Sequence, residues 1–468
     1  MKLVLANQLI LDGWDSNVLD IIEKMLTIPN PKYEEQVNAR RSTKGMPRFL
    51  LRYKRTSYSS IEIPRGMLPE VISLVRTLPT QCTIIDTRAS LPEVALVNSI
   101  VPREYQLPVL EKFLQAIRMP YNEQGLLVAP PGAGKTIMAL KIAAELKQPT
   151  LWLAHTGPLM DQATDYAIFY GFDKKIIGKI KGPKTDIRPI TIASVATLYR
   201  RDMKEISKNF GTIILDEANH APAETFTKVL SLASCKYLIG VTATAFRRDG
   251  LDSLIFTTIG DKLAEIDRDS KEIGRMPAGI KLKFTGISHG YINTFTGKED
   301  FGYMLTQIAN NEARNKMIAL DVIHEVTAGH ICMVASARVD QLHNVAKYLE
   351  TARIKYAIAA PRDMSKKEVD TAIKQVRSGE ATVLLATFRL LAEGFDHKPL
   401  SRAFFGVPIS HKNIGLIQQF LGRIERQAEG KIDAIAYDYI DSDSILSTLA
   451  NKRVRLYQDM GLKLEWAA

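Results

Sequence analysis

Cysteine is scarce: 468 residues contain three, Cys82, Cys235 and Cys332, with no Cys-x-x-Cys pair and no histidine cluster nearby. That argues against a structural zinc motif and a disulfide framework, and it fits a reducing cytosol. Long apolar runs are missing too, since none approaches the roughly 18 residues that a spanning helix needs. The stretch Met1–Ala6 is too short for the apolar core of a signal peptide. The expectation is a cytoplasmic protein with no membrane partner. Internal repeats and low-complexity segments are not evident. An acidic excess is also lacking: 62 Lys and Arg against 51 Asp and Glu leave a net charge of +11, which favours a polyanionic partner, most simply nucleic acid. With 46% hydrophobic and 24% charged residues the composition is that of a globular chain, long enough for two or three domains.

From Gly125 onward, short β-rich apolar runs alternate with helical patterns, which predicts parallel sheets in an α/β fold. Strands are expected at Gly125–Ala129, Thr150–Ala154, Ile190–Ala193, Thr212–Leu215 and Tyr237–Val241, with a helix over Ile137–Leu146. A second series is expected at Ile331–Ala335, Tyr356–Ala359, Thr382–Ala386, Ala403–Val407 and Ala434–Tyr437. Two series mean two α/β domains in tandem, joined by a linker near Asp267–Gly279. The first 94 residues break this rhythm. A basic strand over Arg48–Arg55, a second over Ile61–Gly66 and helices at Asn17–Leu26 and Pro69–Leu78 suggest a small separate α+β domain. The predicted division is 1–94, 95–276 and 277–468.

Ala129-Pro-Pro-Gly-Ala-Gly-Lys-Thr136 follows a predicted strand and opens a predicted helix, the context of a phosphate-binding loop. Pro131, Gly132, Ala133 and Gly134 would line the nucleotide, Gly132 and Gly134 letting backbone N–H groups close around the phosphates. Lys135 would reach the β- and γ-phosphates and Thr136 would ligate Mg²⁺. The usual first glycine is Ala129 here. The strand Thr212–Leu215 delivers Asp216 and Glu217 to its C-terminal end, where ligands sit in open α/β sheets. Asp216 would hold the metal and Glu217 would polarise the attacking water. Farther on, Gln419, Arg423 and Arg426 share one face of a predicted helix, with Ile414, Ile417, Leu421 and Ile424 opposite. The two arginines would supply transition-state charge once the domains close around ATP. Together the three segments predict an ATP-driven motor.

These residues resemble superfamily 2 helicases and translocases over nearly the whole chain. Arg103-Glu-Tyr-Gln106 looks like the Q-motif, which implies that Arg103 and Gln106 serve the nucleotide, Gln106 reading adenine. Leu153-Ala-His-Thr156 and Ile192-Ala-Ser-Val195 look like motifs Ia and Ic, and Val334-Ala-Ser-Ala-Arg338 like motif IV. Thr242-Ala-Thr244 matches motif III, which couples hydrolysis to strand binding. Thr387 and Glu393-Gly-Phe-Asp396 resemble motif V, adding Asp396 to the nucleotide set. Motif II ends in Asn219 where His or Asp is usual; Asn still hydrogen-bonds, so hydrolysis is expected to survive. Asn30-Pro through Arg65-Gly66, Phe246–Leu251 and Lys452–Tyr457 resemble the XPB-like and UvsW-like branch, particularly phage helicases that remodel branched DNA. A phage origin would put the protein in the cytoplasm of a bacterial host.

The resemblance implies two RecA-like domains that grip phosphate and sugar more than base edges. His155, Thr156, Lys181, Lys184, Ser194, Arg338 and Thr387 are the candidate contacts in the motor. In the N-terminal region, Arg48, Arg52 and Lys54 lie among Phe49, Tyr53 and Tyr58, a mixture suited to backbone neutralisation and base stacking. The expected protein is an ATP- and Mg²⁺-dependent DNA helicase or translocase on forked or junction DNA, monomeric or weakly oligomeric there. Its rivals are an RNA helicase and a branched-DNA scaffold switched by ATP.

Overall fold

The structure, a computed structural model, describes residues 1–38, 41–220, 224–243, 253–267, 276–288, 301–361, 363–388, 390, 395, 397–410, 414–442 and 444–467. The chain divides into two compact units, Met1–Ser270 and Lys271–Ala468. Most of the expected linker lies outside the described residues.

The first unit is built on an eight-stranded sheet. In order across it run Lys184–Asp186, Ile177–Lys181, Ile190–Ser194, Thr150–Ala154, Thr212–Asp216, Tyr237–Thr242, Gln124–Val128 and Lys262–Glu265. Neighbours pair parallel except at the edge, where Lys184–Asp186 turns back on Ile177–Lys181. Gln124–Val128, Thr150–Ala154 and Thr212–Asp216 are buried at every position, as strands covered by helices on both faces must be. Their unbroken apolar runs made them legible as strands.

A second sheet of the same unit follows the other rule. Its order is Lys54–Ser57, Ser60–Pro64, Gln8–Asp12, Lys2–Leu5 and Thr83–Asp86. Alternate residues point into one core, so Leu3, Leu5, Leu9, Leu11, Ile61 and Ile63 are buried with Trp14. The helices Ser16–Met25 and Leu68–Thr77 cover that face. Although it has its own core, this layer is bonded to the eight-stranded sheet rather than separate from it. Arg88 is paired with Asp86 at 2.8 Å and with Glu123 at 3.1 Å, and Lys236 N donates to Ala89 O at 2.9 Å. Gly66 has no room for a side chain, because a Cβ there would collide with the carbonyl oxygens of Phe256 and Thr257.

The expected Arg48–Arg55 strand is two pieces, Phe49–Leu51 paired with Thr27–Pro29 and Lys54–Ser57 paired with Ser60–Pro64. The break falls at Arg52, whose backbone N donates to Leu26 O and whose guanidinium donates to Thr258 Oγ1. A side chain drawn towards Thr258 ends the alternation there.

The second unit is a seven-stranded parallel sheet in the order Tyr356–Ala359, Val383–Thr387, Ile331–Ser336, Leu400–Phe405, Ile435–Ile440, Gly279–Phe284 and Lys463–Ala467. Its core holds buried ion pairs, which persist only when every polar atom is well met. Arg453 grips Asp438 with two bonds of 2.8 and 2.9 Å while Tyr457 Oη donates to the same carboxylate. The Lys452–Tyr457 segment therefore contributes to the core of this unit.

Candidate nucleotide site and nucleic-acid edge

The strand Gln124–Val128 runs into the loop 129–134, and the helix Lys135–Leu146 starts at once after it. Gly132 and Gly134 sit at φ +85° and +83°, the left-handed region that a side chain resists. Their freedom lets successive N–H groups turn inward at the N-terminus of a twelve-residue helix, a ready anion cradle. Lys135 and Thr136 occupy the first turn of that helix.

Gln106 takes a part that the sequence did not reveal. It is buried, its Nε2 donates to Ala133 O at 2.7 Å and its Oε1 accepts from Arg103 N at 2.9 Å. Tyr105 Oη reaches the same Ala133 carbonyl at 3.4 Å. The Nε2 end of the amide thus braces the phosphate loop and the Oε1 end caps its own turn Glu104–Gln106, while Arg103 is exposed. The only sequence signal was the three-residue capping spacing from Arg103 to Gln106. Gln106→Ala leaves a buried carbonyl short of a partner, a cost of about 1–2 kcal/mol. The expected reading in turnover against ATP concentration is a KM raised by roughly 10-fold. An unchanged KM with lost preference for adenine over guanine would return Gln106 to base reading.

Asp216 ends its strand almost wholly buried, and its Oδ1 accepts from Glu217 N at 3.0 Å. Burial first, then the charge of Glu217, push Asp216 up to about 7, against some relief from Lys135. Lys135 Nζ stands 3.9 Å from Glu217 Oε1, and Glu217 Oε2 is buried with no hydrogen bond among the described residues. Glu217 also holds φ +55°, a conformation costing about 1–3 kcal/mol outside glycine. Two acids crowded beside a hydroxyl-bearing helix start form a donor set that fits one hard divalent cation. Asp216 and Thr136 would hold it, and the cation would neutralise phosphate charge.

Every other feature of the first unit's site lies along the same edge. The parallel strands end within one residue of a common line at Lys181, Ser194, Ala154, Asp216, Thr242 and Val128, with adjacent strands about 4.8 Å apart. His155 and Thr156 follow directly on Ala154, Thr156 capping the helix Gly157–Phe169. Thr242 is buried and its carbonyl accepts from Ala129 N at 3.0 Å, tying the end of its strand to the start of the phosphate loop. Lys181 and Lys184 face each other across the outermost hairpin, both exposed. Asn219 lies in the short helical turn after the acid pair. Thr244 is outside the described residues.

In the second unit, Ser336 and Thr387 are partners at the ends of adjacent strands, and Arg338 follows two residues on, donating to Gly302 O at 2.9 Å. Asp396 is outside the described residues. The helix Ile414–Ile424 buries Ile417, Leu421 and Ile424, leaving Gln419 and Arg423 half-exposed on its other side. Arg426 is a correction, for it lies beyond the helix and not on its face. The chain leaves the helix because Glu425 O accepts from Met276 N at 2.8 Å and Lys431 Nζ donates to Ile424 O and, at 2.8 Å, to Arg426 O. In the N-terminal layer, Arg48 and Lys54 are exposed, with Arg48 over the Phe49 ring at 5.4 Å, whereas Arg52 turns inward.

Residues 99–247 match the family described as Type III restriction enzyme, res subunit. The chain is 27% identical over 367 residues to the Escherichia phage T5 protein described as "Probable helicase D10", covering 77% of this chain and 75% of that one. It is 26% identical over 372 residues to the DNA 3'-5' helicase XPB of Kineococcus radiotolerans, covering 77% of this chain and 63% of the relative. Among solved structures, S. cerevisiae Dbp5 bound to RNA and ADP BeF3 aligns with a TM-score of 0.55 at 14% identity, over 77% of this chain and 89% of that one. That likeness shows the fold, two RecA-like domains in tandem.

Proposed function

We propose that this chain, a superfamily 2 helicase of the XPB-like branch, is an ATP- and Mg²⁺-dependent DNA motor that acts on forked or junction DNA. One observation carries the reading. A single sheet edge bears the phosphate loop at one end, the acid pair and Thr242 in the middle, and His155, Ser194 and Lys181 at the other. Nucleotide state and nucleic-acid grip therefore share one rigid element, and the Ala129–Thr242 bond joins them.

In this mechanism the loop N–H groups and Lys135 would hold the phosphates and Asp216 and Thr136 would hold the cation, while Glu217 takes a proton from water. Arg423 and Arg426 of the second unit supply charge as the γ-phosphate leaves. Relatives named as DNA helicases and the net charge of +11 support DNA as the track. Forks and junctions are favoured by the extra layer carrying exposed Arg48, Phe49 and Lys54, which adds a second grip outside the motor edge. ATP turnover compared with single strand, linear duplex, fork, four-way junction and RNA at fixed salt tests this, with Lys135→Ala as the blank. Strongest stimulation by forks and junctions is expected. Stimulation by RNA alone overturns the DNA assignment, and equal stimulation by all DNA forms overturns the branched substrate.

A further inference from the structure

A cavity of about 260 Å³ lies where the N-terminal layer meets the motor layer of the first unit. Arg52, Lys54, Glu62 and Arg65 line it from one side, and Ser231 and Thr258 from the other. Arg65 is fully met by neutral oxygens, donating to Gln124 Oε1 at 2.7 Å, Cys235 O at 2.8 Å and Lys236 O at 2.9 Å. Arg52 is not. Its Nη2 donates to Thr258 Oγ1 at 3.0 Å, but its Nε is buried with no hydrogen bond among the described residues.

Among the described residues neither guanidinium has a carboxylate within ion-pair distance. The one acid on the wall, Glu62, stands 4.0 Å from Lys54 at the exposed rim. Three cations thus face one carboxylate. A guanidinium taken out of water without a counter-charge is costly, and burial alone pulls Arg52 below the ordinary arginine value. Thr258 cannot complete the arrangement, since its hydroxyl already donates to Leu254 O. Apart from Glu62 at its rim, the described lining offers no acceptor that carries negative charge.

We propose that this cavity is an oxyanion site that takes one phosphate group, received by the Nε–H of Arg52 and by the Lys54 ammonium. The phosphate comes from the DNA backbone or from free phosphate; the first source rests on the DNA reading above, and the site itself does not.

Two measurements on the full chain, without ATP, decide between them, using wild type, Arg52→Met and Arg52→Lys. The first is thermal melting in sodium phosphate and in sodium chloride at matched ionic strength. In chloride, Arg52→Met is expected to melt at or above wild type, because an unmatched buried charge has been removed. The second is duplex binding by fluorescence anisotropy against salt. A backbone phosphate in the site makes the wild-type log–log slope steeper by about 0.9 than that of Arg52→Met, with Arg52→Lys near wild type. A free phosphate instead raises the wild-type melting point and not that of Arg52→Met, with equal slopes on DNA. Both arms indifferent to the substitution, or an Arg52→Met that melts lower in chloride and discriminates nothing, overturns the site. Should the chain fail to bind duplex at all, the DNA reading falls while the phosphate arm still decides the cavity.

Discussion

Lys135→Ala is expected to lower nucleic-acid-stimulated ATP turnover by about 10³-fold while duplex binding without nucleotide stays within a few-fold of wild type. The reason is local. The helix start and the loop amides remain, so the phosphate cradle survives, but the ammonium 3.9 Å from Glu217 is gone. Glu217 and Asp216 then face the phosphates with one positive charge fewer, and repulsion adds to the lost contact. Glu217→Gln makes the complementary case. It relieves that crowding, so nucleotide affinity should hold or improve, yet it removes the base that activates water. Turnover with both variants, alongside binding of a fluorescent ATP analogue, separates the two roles. If Lys135→Ala retained a tenth of wild-type turnover, the loop would not be the hydrolytic site.

The strand–loop–helix around residues 129–136 was legible because it is carried by consecutive residues. A loop that wraps phosphate must be short, glycine-bearing and held between a buried strand and a helix, and all of that is local pattern. The acid pair was legible for the same reason, following the apolar run Thr212–Leu215. What escaped was whatever depends on contacts distant in sequence. Gln106 braces Ala133 across 27 residues. The helix of Arg423 was extended on paper to Arg426 because the apolar period continued, and it ends earlier because Met276, about 150 positions upstream, claims the carbonyl of Glu425. The strand over Arg48–Arg55 was split by Thr258, and no window on the N-terminal sequence contains that residue. Alternating strands such as Lys2–Leu5 and Gln8–Asp12 were missed because two short runs at a chain start carry too little period to stand out.

The different settings of the two arginines sharpen the second large expectation. Arg423 is carried by a helix whose opposite side, Ile417, Leu421 and Ile424, is fully buried, so its Cα cannot shift without disturbing the core. Arg426 is placed by the chain beyond the helix, where Lys431 gathers the carbonyls of Leu400 and Arg426. Arg423→Ala is expected to lower kcat by about 10³–10⁵, the range of an arginine that meets charge only in the transition state, with KM for ATP changed little. Arg423→Lys should rescue almost none of it, since an ammonium lacks the planar fork that meets two phosphate oxygens at once. Single-turnover hydrolysis with ATP and fork DNA bound beforehand reads the chemical step apart from product release. Arg426→Ala should fall in the same direction if both side chains serve the γ-phosphate. A loss confined to Arg423 would leave Arg426 a residue of the turn, and its departure from the helix would then mark where the catalytic face ends. Losses below about 10-fold for both would take them out of the catalytic set, because a cation contributes no more than that to a step it does not touch.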